Sequence, residues 1–137
     1  MSFREKMHWT SFISIALGFG YYFVTLAIHG HTVEPGYYIG LVVMAIGFFI
    51  AATIVAATVF AIMNPKDANA STDERDRNFH MRALPAPYYL LVVGAWCVGG
   101  LFHIYGPYVA MNVLMALLVG VELIRIGTQL FFYRRGY

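Results

Sequence analysis

Four long apolar runs dominate the chain, separated by one polar segment and two short breaks. Each run is close to or longer than the roughly 20 residues that a helix needs to cross a bilayer core of about 30 Å. The pattern therefore predicts an all-α membrane protein whose four transmembrane helices form two hairpins. The predicted spans are approximately residues 10–28, 38–63, 86–105 and 108–133.

The central polar segment, residues 64–85, is the only long polar run. Ser71 and Glu74 have the spacing of a capping box, in which each side chain can bind the backbone amide of the other residue. We therefore expect a short helix from this point to about Leu84. Pro85 and Pro87 should end it, because proline disfavours helical continuation.

Composition agrees with a membrane location. The chain is 60% hydrophobic and only 12% charged, whereas soluble domains are about a quarter charged. Its 137 residues allow one compact unit, so a single transmembrane bundle over residues 1–137 is expected. Arg4 and Lys6 precede the first apolar run, which continues to Ile28 without a clear cleavage site and is therefore interpreted as a retained span.

The placement of positive charges predicts the orientation. Lysine and arginine lie at the N-terminus, in the central segment and at the C-terminus, but not at the hairpin tips, residues 29–37 and 103–108. The positive-inside rule places both termini and the central helix in the cytoplasm. The tips would face outward, into the periplasm of a bacterium.

One group of polar residues falls within the apolar runs. Glu122 is near the middle of the fourth span, where a carboxylate must be paired, protonated or solvated, and Arg125 one turn later is the expected partner. Two interpretations stay open: a proton or cation site, and a structural polar clamp between helices. The predicted polar centre comprises Glu122, Arg125, Asn112, Gln129 and Tyr21.

The outward-facing tips suggest a second type of chemistry. Imidazole and carboxylate ligands suit Zn²⁺, Cu²⁺ or Ni²⁺, and the candidate ligands are His29, His31, Glu34 and His103. The alternative is that these residues cap helix ends at the interface. A haem would need facing histidines, and an inner pair from His8 and His80 has poor geometry for this. The sequence itself identifies no cofactor.

Charges alternate in sign at the start of the predicted central helix. The alternatives are a partner-docking surface and a solvated helix that pairs its own charges. The residues concerned are Asp73, Glu74, Arg75, Asp76 and Arg77. The partners expected are the lipid bilayer and a second copy or another membrane protein; no basic patch is large enough for nucleic acid.

The segment Thr72-Asp73-Glu74-Arg75-Asp76-Arg77, together with Gln129 and the ending Tyr133-Arg134-Arg135-Gly136-Tyr137, resembles a group of small bacterial inner-membrane proteins of uncharacterised activity. That group shares an Asp-Glu-Arg-Asp-Arg segment, paired transmembrane helices and an aromatic-Arg-Arg tail. The resemblance covers mainly residues 72–137. It implies the bacterial inner membrane and a four-helix fold, but no activity.

Three functions remain compatible with the sequence. The preferred one is a non-enzymatic membrane module for ligand or ion binding, transport or regulation, with the Glu122 and Arg125 pair at its centre. The second is a metal- or haem-binding redox protein that uses the outward-facing histidines. The third is a structural subunit of a larger membrane assembly.

Overall fold

The computed structural model describes residues 2–30, 34–68 and 74–135. All the regular secondary structure in these ranges is helical. The helices are α1 (Phe3–His29), α2 (Pro35–Met63), α3 (Pro65–Ala68), α4 (Glu74–Ala83), α5 (Pro85–Tyr105) and α6 (Pro107–Arg135).

Four stretches are long and apolar enough to cross a membrane: Phe3–His29, Gly36–Met63, Arg77–Tyr105 and Pro107–Arg135. The prediction of an all-α multi-pass membrane protein with four spanning helices is therefore confirmed at the level of length and composition. The side of the membrane on which the termini and α4 lie stays a prediction.

The helices belong to two compact units, residues 1–71 and residues 72–137. The first unit contains the α1–α2 hairpin with α3. The second contains the α5–α6 hairpin with α4. The assembly of all four spans into one bundle stays a prediction.

The first helix begins earlier than the apolar pattern indicated. Ser2 is its N-cap, and the Ser2 hydroxyl accepts a hydrogen bond of 3.2 Å from the backbone amide of Glu5. This contact satisfies one of the amides that have no partner inside the helix. The residues between Phe3 and Thr10, which precede the predicted first span, are therefore part of α1, which continues without interruption to His29.

Small residues bring α1 and α2 together. A Cβ added to Gly18 would lie 3.3 Å from the Cβ of Ala45, so the two backbones approach closely at this point. Such contacts are typical of helix pairs in membranes, where association depends on packing and on polar contacts between helices. The buried side chains of this unit are Ser14, Ile15, Tyr22, Thr25, Tyr38, Leu41 and Ala45.

Lys6 of α1 contacts α2 at the end of the first hairpin that lies away from the α1–α2 turn. Its ammonium nitrogen lies 5.5 Å from the centre of the Phe60 ring, a cation–π geometry. Helix α2 ends three residues after Phe60, and α3 follows directly after Asn64.

Glycines at positive φ end the first helix of each hairpin. Gly30 has φ +50° and Gly106 has φ +82°, which are conformations that favour glycine. A proline then occupies the first turn of the returning helix, Pro35 in α2 and Pro107 in α6. Proline is well suited to that position because its missing amide would have no helical partner there.

Helices α4 and α5 meet at a bend rather than at a loop. Leu84 separates them but keeps helical dihedral angles, φ −78° and ψ −39°. Pro85 and Pro87 follow immediately, and each lacks the amide that would continue the hydrogen-bond ladder. The predicted stop at these prolines is therefore a change of direction, which lets α4 pack against α6 as well as α5.

Candidate functional site

An ion pair lies within the apolar length of α6. Arg125 donates to both carboxylate oxygens of Glu122, from Nε to Oε2 at 2.9 Å and from Nη2 to Oε1 at 2.5 Å. Paired, fork-like contacts of this type are among the strongest that arginine makes with a carboxylate. The spacing of three residues places both groups on one helix face, as the sequence predicted.

The pair is only partly covered. The side chain of Arg125 is 25% exposed and that of Glu122 is 40% exposed. Glu122 follows Pro107 by fifteen positions, which is about 22 Å along a helix. A carboxylate at this depth costs several kcal/mol unless it is compensated, and Arg125 supplies that compensation.

Gln129 lies one turn beyond Arg125 and contacts α4. Its side chain is 1% exposed, and Nε2 lies 2.9 Å from Nδ1 of His80. Because an amide nitrogen can only donate, this contact uses His80 as the acceptor. The other amide atom, Oε1, is buried and has no hydrogen-bond partner among the described residues.

Aromatic packing fixes α4 beside Gln129. Phe79 is 2% exposed. Its ring stacks on Phe132 with centres 5.9 Å apart and meets Tyr133 edge-on at 5.2 Å. Ala83, one turn later on α4, is also buried. The apolar face of α4 is therefore used against α6, which makes α4 a docked helix.

The remaining members of the predicted polar centre have other surroundings. The amide of Asn112 donates to the carbonyl oxygen of Tyr108 at 2.8 Å, a contact within α6. Tyr21 is 54% exposed in the first unit, whereas the neighbouring Tyr22 is 4% exposed and packs edge-on against Tyr38. The structure thus joins Glu122 to Arg125 directly, and a role for Tyr21 beside them stays a prediction.

Sequence reasoning did not single out Tyr38. Its hydroxyl donates to the carbonyl oxygen of Gly30 at 2.5 Å, which ties the start of α2 to the end of α1. A buried hydroxyl needs such a partner. The signal that could have identified it was the pair of tyrosines directly after Pro35-Gly36, where one of the two must face α1.

The candidate metal ligands are only partly described. His29 donates from Nδ1 to the carbonyl oxygen of Thr25 at 3.2 Å, and Glu34 and His103 are exposed. His31 lies outside the described residues. Within residues 2–30, 34–68 and 74–135, no group of three or more His, Cys, Asp and Glu has the geometry to hold a metal ion.

The charged start of the central helix is described in part. Glu74, Arg75 and Asp76 begin α4, and Arg77 is exposed. Asp73 and the predicted capping residue Ser71 lie outside the described residues. A docking role for this charged segment stays a prediction.

Comparison with known proteins identifies no relative. Neither a protein-family model, nor a curated protein, nor a solved structure matches the chain.

Proposed function

We propose that the chain is a non-enzymatic integral membrane module that binds a proton or a small cation at Glu122. The observation that carries this proposal is the fork-like contact of Arg125 with Glu122 at a depth where charge is costly, combined with the 40% exposure of the Glu122 side chain.

The chemistry follows from the charge of the pair. While Arg125 binds Glu122, the two charges cancel. A proton or a cation at the carboxylate competes with the guanidinium for the same oxygens, and the site then carries a net positive charge. That charge is costly within the apolar length of a helix, so Arg125 must find another partner or extend toward the membrane interface.

Helix α4 is placed to respond to this change. Gln129, one turn from Arg125 on α6, holds His80 of α4. An Arg125 side chain that leaves Glu122 would extend along α6 toward Gln129. The buried Oε1 of Gln129 is a hydrogen-bond acceptor with no partner among the described residues. We therefore propose a regulatory module in which the state of Glu122 affects the docking of α4.

We further propose that the chain lies in the inner membrane of a bacterium as one four-helix bundle, with both termini and α4 in the cytoplasm. The distribution of lysine and arginine supports the orientation. The resemblance of the Asp-Glu-Arg-Asp-Arg segment and the aromatic-Arg-Arg ending to small bacterial inner-membrane proteins supports the location.

Thermal unfolding of the purified protein in a mild detergent tests the site. We expect the Tm of the wild-type protein to shift with pH and with added Na⁺ or K⁺, because protons and these cations compete with Arg125 for the Glu122 carboxylate. Glu122→Gln should lose this response, whereas Arg125→Met should respond at a higher pH and at a lower cation concentration, because no guanidinium then competes for the carboxylate. Glu34→Gln, which removes an exposed carboxylate at the start of α2, is the matched control and should keep the response of the wild-type protein.

Two outcomes would contradict the proposal. One is a wild-type Tm that does not depend on pH or on either cation. The other is an unchanged response in Glu122→Gln, which would make the pair a structural clamp.

A further inference from the structure

We propose that the α4 end of the second unit binds the phosphate headgroup of an anionic phospholipid. We call the residues concerned the arginine cluster: Arg77, Arg82, Arg134 and Arg135. This inference does not depend on ligand binding at Glu122.

Packing brings the arginine cluster to one end of the unit. Phe79 binds α4 to the last turns of α6 through Phe132 and Tyr133. Arg77 and Arg82 lie two positions before and three positions after Phe79. All four arginines of the cluster are exposed, while the ring between the two helices is buried.

The charge balance of the second unit is positive, since residues 72–137 contain six arginines and four acidic residues. From Arg77 to the C-terminus the chain contains five arginines and one acidic residue, Glu122. That carboxylate already binds Arg125. Glu74 and Asp76 lie in the first turn of α4, where a helix N-terminus favours negative charge, and Arg75 lies between them. The net charge of this end is therefore positive.

Exposed aromatic rings place the cluster at headgroup level. Tyr88 and Tyr89, at the start of α5, are 60% and 67% exposed, and tyrosine is enriched where the bilayer core meets the headgroups. The guanidinium carbon of Arg135 lies 4.6 Å from the centre of the Phe131 ring, which is 48% exposed. Arg135 therefore folds back along α6, toward the apolar part of the helix.

A phospholipid fits this arrangement better than a free anion. Arginine binds phosphate through paired contacts, and basic residues next to a transmembrane helix attract anionic lipids. Long apolar helices continue directly from the cluster, so an acyl chain can lie against α5 or α6 while its phosphate contacts the arginines. A free phosphate would contact the arginines but not the apolar surface of α5 or α6.

Native mass spectrometry of the intact protein with mixed lipids tests the proposal. The probes are phosphatidylglycerol and phosphatidylcholine at equal concentration in a mild detergent. The wild-type protein should retain phosphatidylglycerol preferentially. In the triple variant Arg77→Gln/Arg82→Gln/Arg135→Gln, the preference for phosphatidylglycerol should fall about fivefold for each arginine removed. Added NaCl should weaken the preference of the wild-type protein.

The matched control removes the same number of charges from the first unit: Arg4→Gln/Lys6→Gln/Lys66→Gln. It should keep the preference of the wild-type protein. An equal loss in both triple variants would overturn the proposal, because net charge alone would then explain lipid retention. No preference in the wild-type protein would overturn it as well.

Two further measurements complete the test. If circular dichroism shows that the triple variant is unfolded, Arg82→Gln is compared with Arg82→Lys. The glutamine variant should lose the preference about fivefold, and the lysine variant should lose less, because it keeps the charge but not the paired contact. Inorganic phosphate at the same ionic strength as NaCl should displace no more lipid than NaCl does. Stronger displacement would assign the site to a free anion and overturn the assignment to a lipid.

Discussion

The amide nitrogen of Gln129 lies 2.9 Å from Nδ1 of His80, although 49 positions separate the two residues in the chain. The contact joins α6 to a polar helix that precedes α5. Gln129 is buried against α4, whereas Glu122 lies two turns earlier on α6, within its apolar length.

Docking of α4 should depend mainly on Phe79. Because its ring is 2% exposed, Phe79→Ala should lower the free energy of unfolding by about 3 kcal/mol, a typical loss for a buried phenylalanine. Backbone amides of α4 should then exchange hydrogen faster, as measured by mass spectrometry in detergent. Met81→Ala is the control, since Met81 is 60% exposed. Equal exchange of α4 in both variants would show that Phe79 does not hold it.

Because α1 and α2 approach closely at Gly18, stability should depend on the size of the side chain at this position. Its position leaves 3.3 Å between an added Cβ and that of Ala45, so Gly18→Leu should destabilise the first hairpin by about 1–3 kcal/mol through overpacking. Gly20→Leu introduces the same side chain where nothing lies within 4 Å. Thermal unfolding should separate the two variants, and equal Tm values would contradict this packing.

The ion pair should behave as a unit. Glu122→Gln leaves the Arg125 charge without its carboxylate, and Arg125→Met leaves the Glu122 charge, so each single variant should lose about 2–3 kcal/mol of stability. The double variant should be more stable than either, because no charge remains. A double-mutant cycle by chemical unfolding measures this coupling. Additive losses would show that the two side chains act independently.

Orientation can be tested with single cysteines in a Cys97→Ser background, which removes the one native cysteine. Cysteines at Glu34 and Tyr105 should react with a membrane-impermeant maleimide in intact bacterial cells, since the tips should face outward. Cysteines at Lys66 and Arg82 should react only after permeabilisation. The reverse pattern would invert the proposed topology.

The four spans could be predicted because each begins or ends at glycine or proline residues, which strongly constrain the local backbone. Gly30 and Gly106 supply the positive φ of the hairpin turns, and Pro85 creates the bend before α5. These effects depend on neighbours in the chain. The Ser2 cap has the same serine and glutamate spacing as a capping box and is predictable from the sequence, whereas the apolar pattern alone places the start of the first span at residue 10.

Packing partners could not be predicted in the same way. Tyr21 and Tyr22 both fit a helical face with Ser14 and Thr25, and only contact with Tyr38 of α2 decides that Tyr22 is buried. In an apolar helix no polar face marks the side that packs. Likewise, nothing near Gln129 in the sequence indicates His80 as its partner.

The cation–π contact of Lys6 with Phe60 has a consequence for bilayer thickness. Because a lysine ammonium favours headgroup level, we expect Phe60 to lie at one edge of the hydrocarbon core and Tyr38, about 33 Å away along α2, at the other. In the second unit we expect the corresponding edges at Gln129 and Tyr108, about 32 Å apart along α6. Although α2 and α6 each contain 29 residues, we therefore expect both hairpins to match a hydrocarbon core of ordinary thickness with little tilt.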